Sequence, residues 1–425
     1  MLNQKTPHMP FAIAFIGLFA LHIALFYPGM MSVDSVGIYS DALKNAYSLH
    51  HPPFMGFTWH YLDKIYKGPA LMYLFNMALL WSFTCLLSFK IFKDKYIRIL
   101  CLLIPFVPHV LVYSGWVWKD IIFTYGYALI SVYLAMKSIK KEPLKIKHLV
   151  CIIGALIYFT EVKYQARFVL PILLFWVFQS YFKGPMIKSI IGAVLAHILV
   201  MGTIHTLDSM LINSKNDARN HSWQCVKIFD LAGMSVYSKR ILVPNNLWKR
   251  PDITLDDVKR KYQLAWEPLV IYDDSPFRKA ENELEREKLL KTWQTAVRDY
   301  PFKYIQHRFH VWFNGMILTG MGSMWIEKKL ANYPTLNKYV SAFSNSLAYV
   351  FILPVQLLII LQALFALRKK DKKPYAIPAL YLNAMSLTLL TVLFVFSLAA
   401  VPRYVYFSIV FFIISTPFSL KMLRK

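Results

Sequence analysis

Apolar residues in this chain run in long unbroken blocks separated by short polar and basic joints. The blocks fall at about 11–27, 69–92, 97–117, 121–138, 149–162, 168–182, 187–206, 342–367, 377–400 and 404–420. Several approach 20 residues, roughly the length a helix needs to cross a bilayer. Lipid offers no partner to exposed backbone groups, so blocks of this kind read as helices. The period-2 alternation of barrel strands is absent. The pattern predicts an all-α polytopic membrane protein with about ten transmembrane helices.

One weaker apolar run, 309–325, decides the topology. If it does not cross, every basic cluster falls on one side: Lys90/Lys93/Lys95/Arg98, Lys137/Lys140/Lys141/Lys145/Lys147, Lys183/Lys188, Arg368/Lys369/Lys370/Lys372/Lys373 and Lys421/Arg424/Lys425. Cytoplasmic joints carry Lys and Arg in this way. Both termini are therefore expected in the cytoplasm, with 309–325 interfacial or re-entrant. The first block is followed by Pro28, Gly29, Met30 and Met31 rather than a small-residue cleavage site, so it reads as an uncleaved span. Three units follow: a seven-span N-terminal unit (1–206), an extracytoplasmic domain (207–341) and a three-span C-terminal unit (342–425).

The first outer loop, 28–68, is long for a connector. Val36, Tyr39, Leu43 and Ala46 make a helical stripe suited to a membrane surface. Pro52-Pro53 interrupts it, and a second short helix is expected over Thr58–Tyr66. The polar segment 207–308 keeps Trp223, Trp248, Trp266 and Trp293, so it reads as folded and mainly helical. Thr254 with Asp257 marks one helix start there. Ser275-Pro276 marks another, for a helix expected to run to Asp299 and to end at Pro301.

Composition agrees: 57% of residues are apolar and the mean hydropathy is +0.41. The net charge of +25 would suit a nucleic-acid binder, but much of the excess lies in joints between apolar blocks and no reader motif accompanies it. Nucleic acid is therefore excluded as a partner. Of the four cysteines, Cys85, Cys101 and Cys151 lie in apolar blocks and Cys225 in the polar region, with no disulfide or zinc spacing.

Chemistry is concentrated at the outer joints. Asp34 follows the first span and is placed either to take a proton from a hydroxyl or to cap the helix after it. Asp41 shares its helix face, so the two acids could hold a metal or divide acid and base roles. His50-His51-Pro52-Pro53 could bind a metal or a phosphate, although adjacent histidines cannot point the same way in a regular helix or strand. Lys119-Asp120 sits in a tight turn beside Trp116 and Trp118. Glu161, Lys163 and Arg167 crowd another turn, Arg403 a third, and His307 and Arg308 lie where the chain returns to the membrane. The rule that explains cytoplasmic Lys and Arg does not explain these outer cations. A shared anionic ligand would, and the planar fork of Arg suits phosphate.

These pieces resemble the polyprenyl-phosphate-dependent glycosyltransferases of the GT-C superfamily. The likeness rests on Val33-Asp34-Ser35 after the first span, His51-Pro52 in the first outer loop, Lys119-Asp120 at the second outer turn and the basic turn near Arg167. The large outer domain before the last spans, Pro301…Tyr304…Arg308 and Pro402-Arg403-Tyr404 add to it. The resemblance covers nearly the whole chain as architecture, through short motifs. It implies transfer of a sugar, with inversion, from a polyprenyl-phosphate donor to a glycan or lipid acceptor at the outer face of a bacterial inner membrane. Asp34 would be the base. Asp41, His50, His51, Lys119, Asp120, Lys163, Arg167, His307, Arg308 and Arg403 would contact substrate, the cations stabilising the departing phosphate. Some members use a divalent metal (Mg or Mn) and others none, which leaves Asp34, Asp120 and His51 open as ligands. Ser35 stands where a second acid is common, and the WWD sequence of oligosaccharyltransferases is absent.

Two other classes fit the same blocks. One is an O-antigen polymerase or ligase-like enzyme, which also takes lipid-linked glycans at the outer face. The other is a transporter or lipid flippase, which needs ionisable groups near the bilayer midplane. No Asp, Glu, Lys or Arg occupies the middle of any assigned span.

Overall fold

A computed structural model describes residues 8–183, 186–212, 221–264, 268–317, 334–335, 337–338 and 349–424. Among them the chain is all-helical, with isolated β-bridges and no strand. The N-terminal part contains the long helices α1 (His8–Phe26), α4 (Ala70–Cys85, prolonged by a π-helical turn to Ile91), α7 (Lys119–Ile139), α8 (Ile146–Glu161), α9 (Ala166–Phe182) and α10 (Met186–Leu211). Between α1 and α4 lie two shorter helices, α2 (Val33–Lys44) and α3 (Pro53–Ile65). Among the described residues, six helical segments are long and apolar enough to cross a membrane: Met9–Phe26, Ala70–Ile91, Lys119–Ile139, Met186–Leu211, Lys373–Phe396 and Pro402–Leu423. Two shorter ones, Ala166–Phe182 and Ile352–Ala366, are apolar as well.

The expected span at 97–117 is not one helix. It is divided into α5 (Lys95–Leu102), a 3-10 turn (Ile104–Phe106) and α6 (Pro108–Ser114). Pro105 and Pro108 lack the N–H that a continuous helix needs, and their rings crowd the preceding turn.

The segment expected outside contributes α11 (Trp223–Ser238), α12 (Leu255–Lys261), α13 (Glu283–Asp299) and α14 (Pro301–Ile317). These carry a core of their own, with Ile228, Phe229, Leu247, Val258, Phe277, Leu289 and Val311 buried together. Thr254 caps α12 through a capping box with Asp257, as its sequence predicts. Ser275-Pro276 does not start a helix. The Ser275 hydroxyl donates to the Pro268 carbonyl at 2.7 Å and accepts from the Tyr272 N–H, which fixes an irregular turn. The helix begins at Glu283, capped by Asn282. Pro301 ends α13 and also opens α14, taking the first helical position, where a missing N–H costs nothing. Residues 309–317 of the expected interfacial run complete α14; 318–325 lie outside the described residues, as do 342–348 of the expected eighth span.

The C-terminal helices are α15 (Tyr349–Ala366), α16 (Lys373–Phe396) and α17 (Tyr406–Leu423), the last entered by a 3-10 turn, Pro402–Val405. α16 and α17 pack on each other and both pack on α7. The C-terminal unit therefore closes on the N-terminal one through a shared core that includes Phe123, Tyr125, Tyr406 and Phe407. Phe123 and Phe407 stack at 4.6 Å, and the Tyr125 and Tyr406 hydroxyls share a 2.6 Å hydrogen bond. This closure brings Arg403 beside the start of α7.

Candidate functional site

The loop after α1 is tied to the turn before α7 by backbone. Met30 N–H donates to Gly115 O at 2.8 Å, and Val117 N–H donates to Met30 O at 2.9 Å. Gly29 makes the approach with a φ of +99°, and a Cβ there would lie 2.7 Å from Tyr73 Cβ. Side chains reinforce the junction: Ser35 Oγ donates to Val117 O at 2.7 Å and Trp118 Nε1 to Ser32 Oγ at 2.8 Å. Ser32, not Asp34, caps α2, through a reciprocal pair with Ser35. The capping alternative for Asp34 is thereby filled by another residue, and its carboxylate is left to face the junction.

Asp34 Oδ2 lies 2.5 Å from Arg403 Nη2. The guanidinium also sits over the Trp118 and Tyr404 rings, 5.3 and 5.5 Å from their centroids. Lys119 Nζ is 2.7 Å from His51 Nδ1. Lys163, from the turn between α8 and α9, donates to Asp120 Oδ1 at 2.6 Å, with both side chains 8% exposed. Lys163 also lies 5.1 Å from the Tyr404 ring, so this pair adjoins Arg403. The result is one cluster of three cations (Lys119, Lys163, Arg403) and two carboxylates (Asp34, Asp120), with His51 at its edge. Burial alone would push the Asp34 carboxyl up, but the charges of Arg403 and Lys119 outweigh burial and hold it at about 2. Burial and the Lys119 charge push His51 down to about 2, so its imidazole is neutral.

The cavity bordered by Asp120, Lys163, Gln165, Arg403 and Tyr404 is closed to about 10 Å³, roughly one water. Arg403 Nη2 is held by Asp34 and Lys163 by Asp120, so an anion entering here competes with those carboxylates.

The other expected site residues are placed elsewhere. Asp41 lies near Tyr47, whose phenol feels its charge. His50 and His51 diverge as adjacent side chains must: His51 meets Lys119, while His50 Nδ1 is 2.7 Å from Ser222 Oγ. Their rings still touch, with centroids 4.4 Å apart. Arg167 joins a separate pair of carboxylates, Glu161 at 2.8 Å and Asp208 at 3.3 Å. His307 and Arg308 lie inside the outer segment, fully buried against Asp230 at 3.2 and 2.5 Å. Trp293 Nε1 also donates to Asp230, and Arg308 Nη1 donates to Ser397 O at 2.6 Å. These contacts assign His307 and Arg308 to a buried network instead of the rim cluster.

The reading of the sequence missed Asp208 and Asp230. Each is an isolated acid in or beside an apolar stretch, a signal that a distant cation must approach it. No group of three His, Cys, Asp or Glu residues gathers among the described residues. Asp34 pairs with Arg403 and Asp120 with Lys163, while His51 contacts Lys119. Comparisons with protein-family profiles, with curated proteins and with solved structures find no match to this chain.

Proposed function

We propose that this chain is an inverting glycosyltransferase of the GT-C type. It takes a sugar from a polyprenyl-phosphate donor and passes it to a glycan or lipid acceptor at the extracytoplasmic face of a bacterial inner membrane. The ten-span arrangement with cytoplasmic termini belongs to the same proposal. The observation that carries it is the gathering of Asp34, His51, Lys119, Asp120, Lys163 and Arg403 from five separate stretches of chain into one cluster with an excess of cations.

In this reading the donor phosphate engages Arg403, Lys119 and Lys163. It competes with Asp34 for the guanidinium, so Asp34 loses its partner only when donor is bound. A carboxylate relieved of a neighbouring cation becomes more basic. Asp34 then accepts the proton of the acceptor hydroxyl as that oxygen bonds to the anomeric carbon. The bond from that carbon to the phosphate oxygen breaks, and the polyprenyl phosphate leaves with the electron pair. The cations stabilise the charge that gathers on it, an effect strengthened in a site shielded from water. Coupling proton acceptance to donor binding would limit wasteful hydrolysis.

The test is Asp34→Asn in a transfer assay on the full chain in lipid. General-base loss predicts a fall of about 10²–10⁴-fold with helical content unchanged. Undiminished transfer removes Asp34 from this role.

A further inference from the structure

A second cavity, of about 940 Å³, lies outside the cluster described above. Tyr164, Arg167, His205, Asp208 and Trp223 line it together with His50. That volume is within the range of small-molecule sites, about 300–1,000 Å³. The rest of the wall is largely apolar, with Leu49, Ile212 and Val226.

Its electrostatics differ from those of the rim. Arg167 Nη2 is shared between two acids, Glu161 Oε2 and Asp208 Oδ2, so no excess of cations is left here. Arg167 Nε has no protein acceptor among the described residues. Around this fork stand imidazoles, hydroxyls and two aromatic rings, Tyr164 and Trp223. Trp223, at the first position of α11, is 37% exposed. Side-by-side donors and acceptors next to a flat aromatic face suit an uncharged ring bearing several hydroxyls. An anion would meet the carboxylates; an alkane would leave the polar fork unused.

The apolar remainder of the wall has a counterpart outside. α10, which supplies His205 and Asp208, exposes Ile198, Leu199 and Met210 along its outer surface. A lipid chain can follow that surface to the cavity. The cavity also adjoins the rim: His50 lines it and its ring lies 4.4 Å from that of His51, which touches Lys119.

We infer that this cavity holds the sugar ring of a glycolipid acceptor, one histidine pair away from the phosphate cluster. The word acceptor rests on the glycosyl-transfer proposal; the binding of a sugar ring here does not.

The experiment uses the full chain in nanodiscs and three probes: octyl glucoside below its micellar concentration, methyl glucoside and octanol. Binding is read by saturation-transfer NMR. Octyl glucoside is expected to bind saturably, and Trp223→Ala and His205→Ala are each expected to weaken it about tenfold, the loss of one good contact. Trp223→Phe, which keeps an aromatic face, should retain most of the affinity and guards against misfolding as the explanation. Asp34→Asn should leave binding intact. Methyl glucoside binding as well as octyl glucoside supports a free glycan as the source of the ring, and weaker binding supports a glycolipid. Octanol binding as tightly as octyl glucoside, or both cavity variants binding like the wild type, overturns the inference. Failure of the wild type to bind octyl glucoside overturns it too, without touching the role of Asp34. Full transfer by Asp34→Asn removes the base and leaves the sugar cavity standing.

Discussion

The Asp34 carboxylate, seven residues after the first apolar block, is ion-paired at 2.5 Å to the Arg403 guanidinium at the start of the last. The two ends of the chain are thus joined at a single charged point. Arg403→Ala should weaken binding of a polyprenyl phosphate about tenfold, the loss of one good ionic contact. Acceptor affinity should change much less. Arg403→Lys should recover only part, since an ammonium cannot reproduce the planar fork over Trp118. Equal losses for donor and acceptor would mark Arg403 as structural.

Lys163→Met should be strongly destabilising. It strands Asp120, 8% exposed, without its cation, and breaking a buried pair from one side costs about 3–5 kcal/mol. The double variant Lys163→Met/Asp120→Asn should recover much of that loss in a denaturant or thermal unfolding series. Additive losses would show that the pair is not the relevant interaction.

Arg308→Ala should lower thermal stability and leave polyprenyl-phosphate affinity nearly unchanged among the molecules that remain folded. The reason is its partner, the fully buried Asp230, which it neutralises together with His307. Burial would raise the Asp230 carboxyl, yet the Arg308 charge and the His307 hydrogen bond lower it. A clear loss of donor affinity with stability intact would return Arg308 to the rim site.

His51 supplies a pH signature. Its folded pKa is pushed to about 2 by burial and by Lys119, against about 6.5 in an unfolded chain. Below about pH 6.5 the unfolded state binds a proton that the folded state refuses, so stability falls as pH drops through that window. Asp34 acts in a different range: its depressed pKa contributes stability above about pH 4, lost as pH falls toward about 2. The melting temperature of wild type should therefore fall more steeply than that of His51→Asn between about pH 6.5 and pH 4.5. Parallel curves would contradict a neutral, buried His51.

The sequence made the helices legible because apolar blocks leave the backbone no other option in lipid. It did not show the break inside 97–117, although Pro105 and Pro108 were visible, because a proline in an apolar block can either kink a helix or end it. Outer cations could be named as a set, since no topological rule accounts for them. Their division could not. Whether Arg167 meets Asp34 or Asp208, and whether Arg308 meets the rim or Asp230, depends on how distant helices pack, which local spacing does not encode. The clearest local signal misread was Ser275-Pro276, where hydrogen bonds to Pro268 and Tyr272 outweighed a favourable helix start.

The central claim is that a phosphate takes Arg403 away from Asp34. It is tested most directly by titrating farnesyl phosphate into the full chain in nanodiscs and comparing wild type with Asp34→Asn. Removing the competing carboxylate should tighten phosphate binding, by about tenfold if one ionic competitor is lost, while sugar transfer disappears. Unchanged or weaker phosphate binding in Asp34→Asn, with transfer retained, would contradict the account.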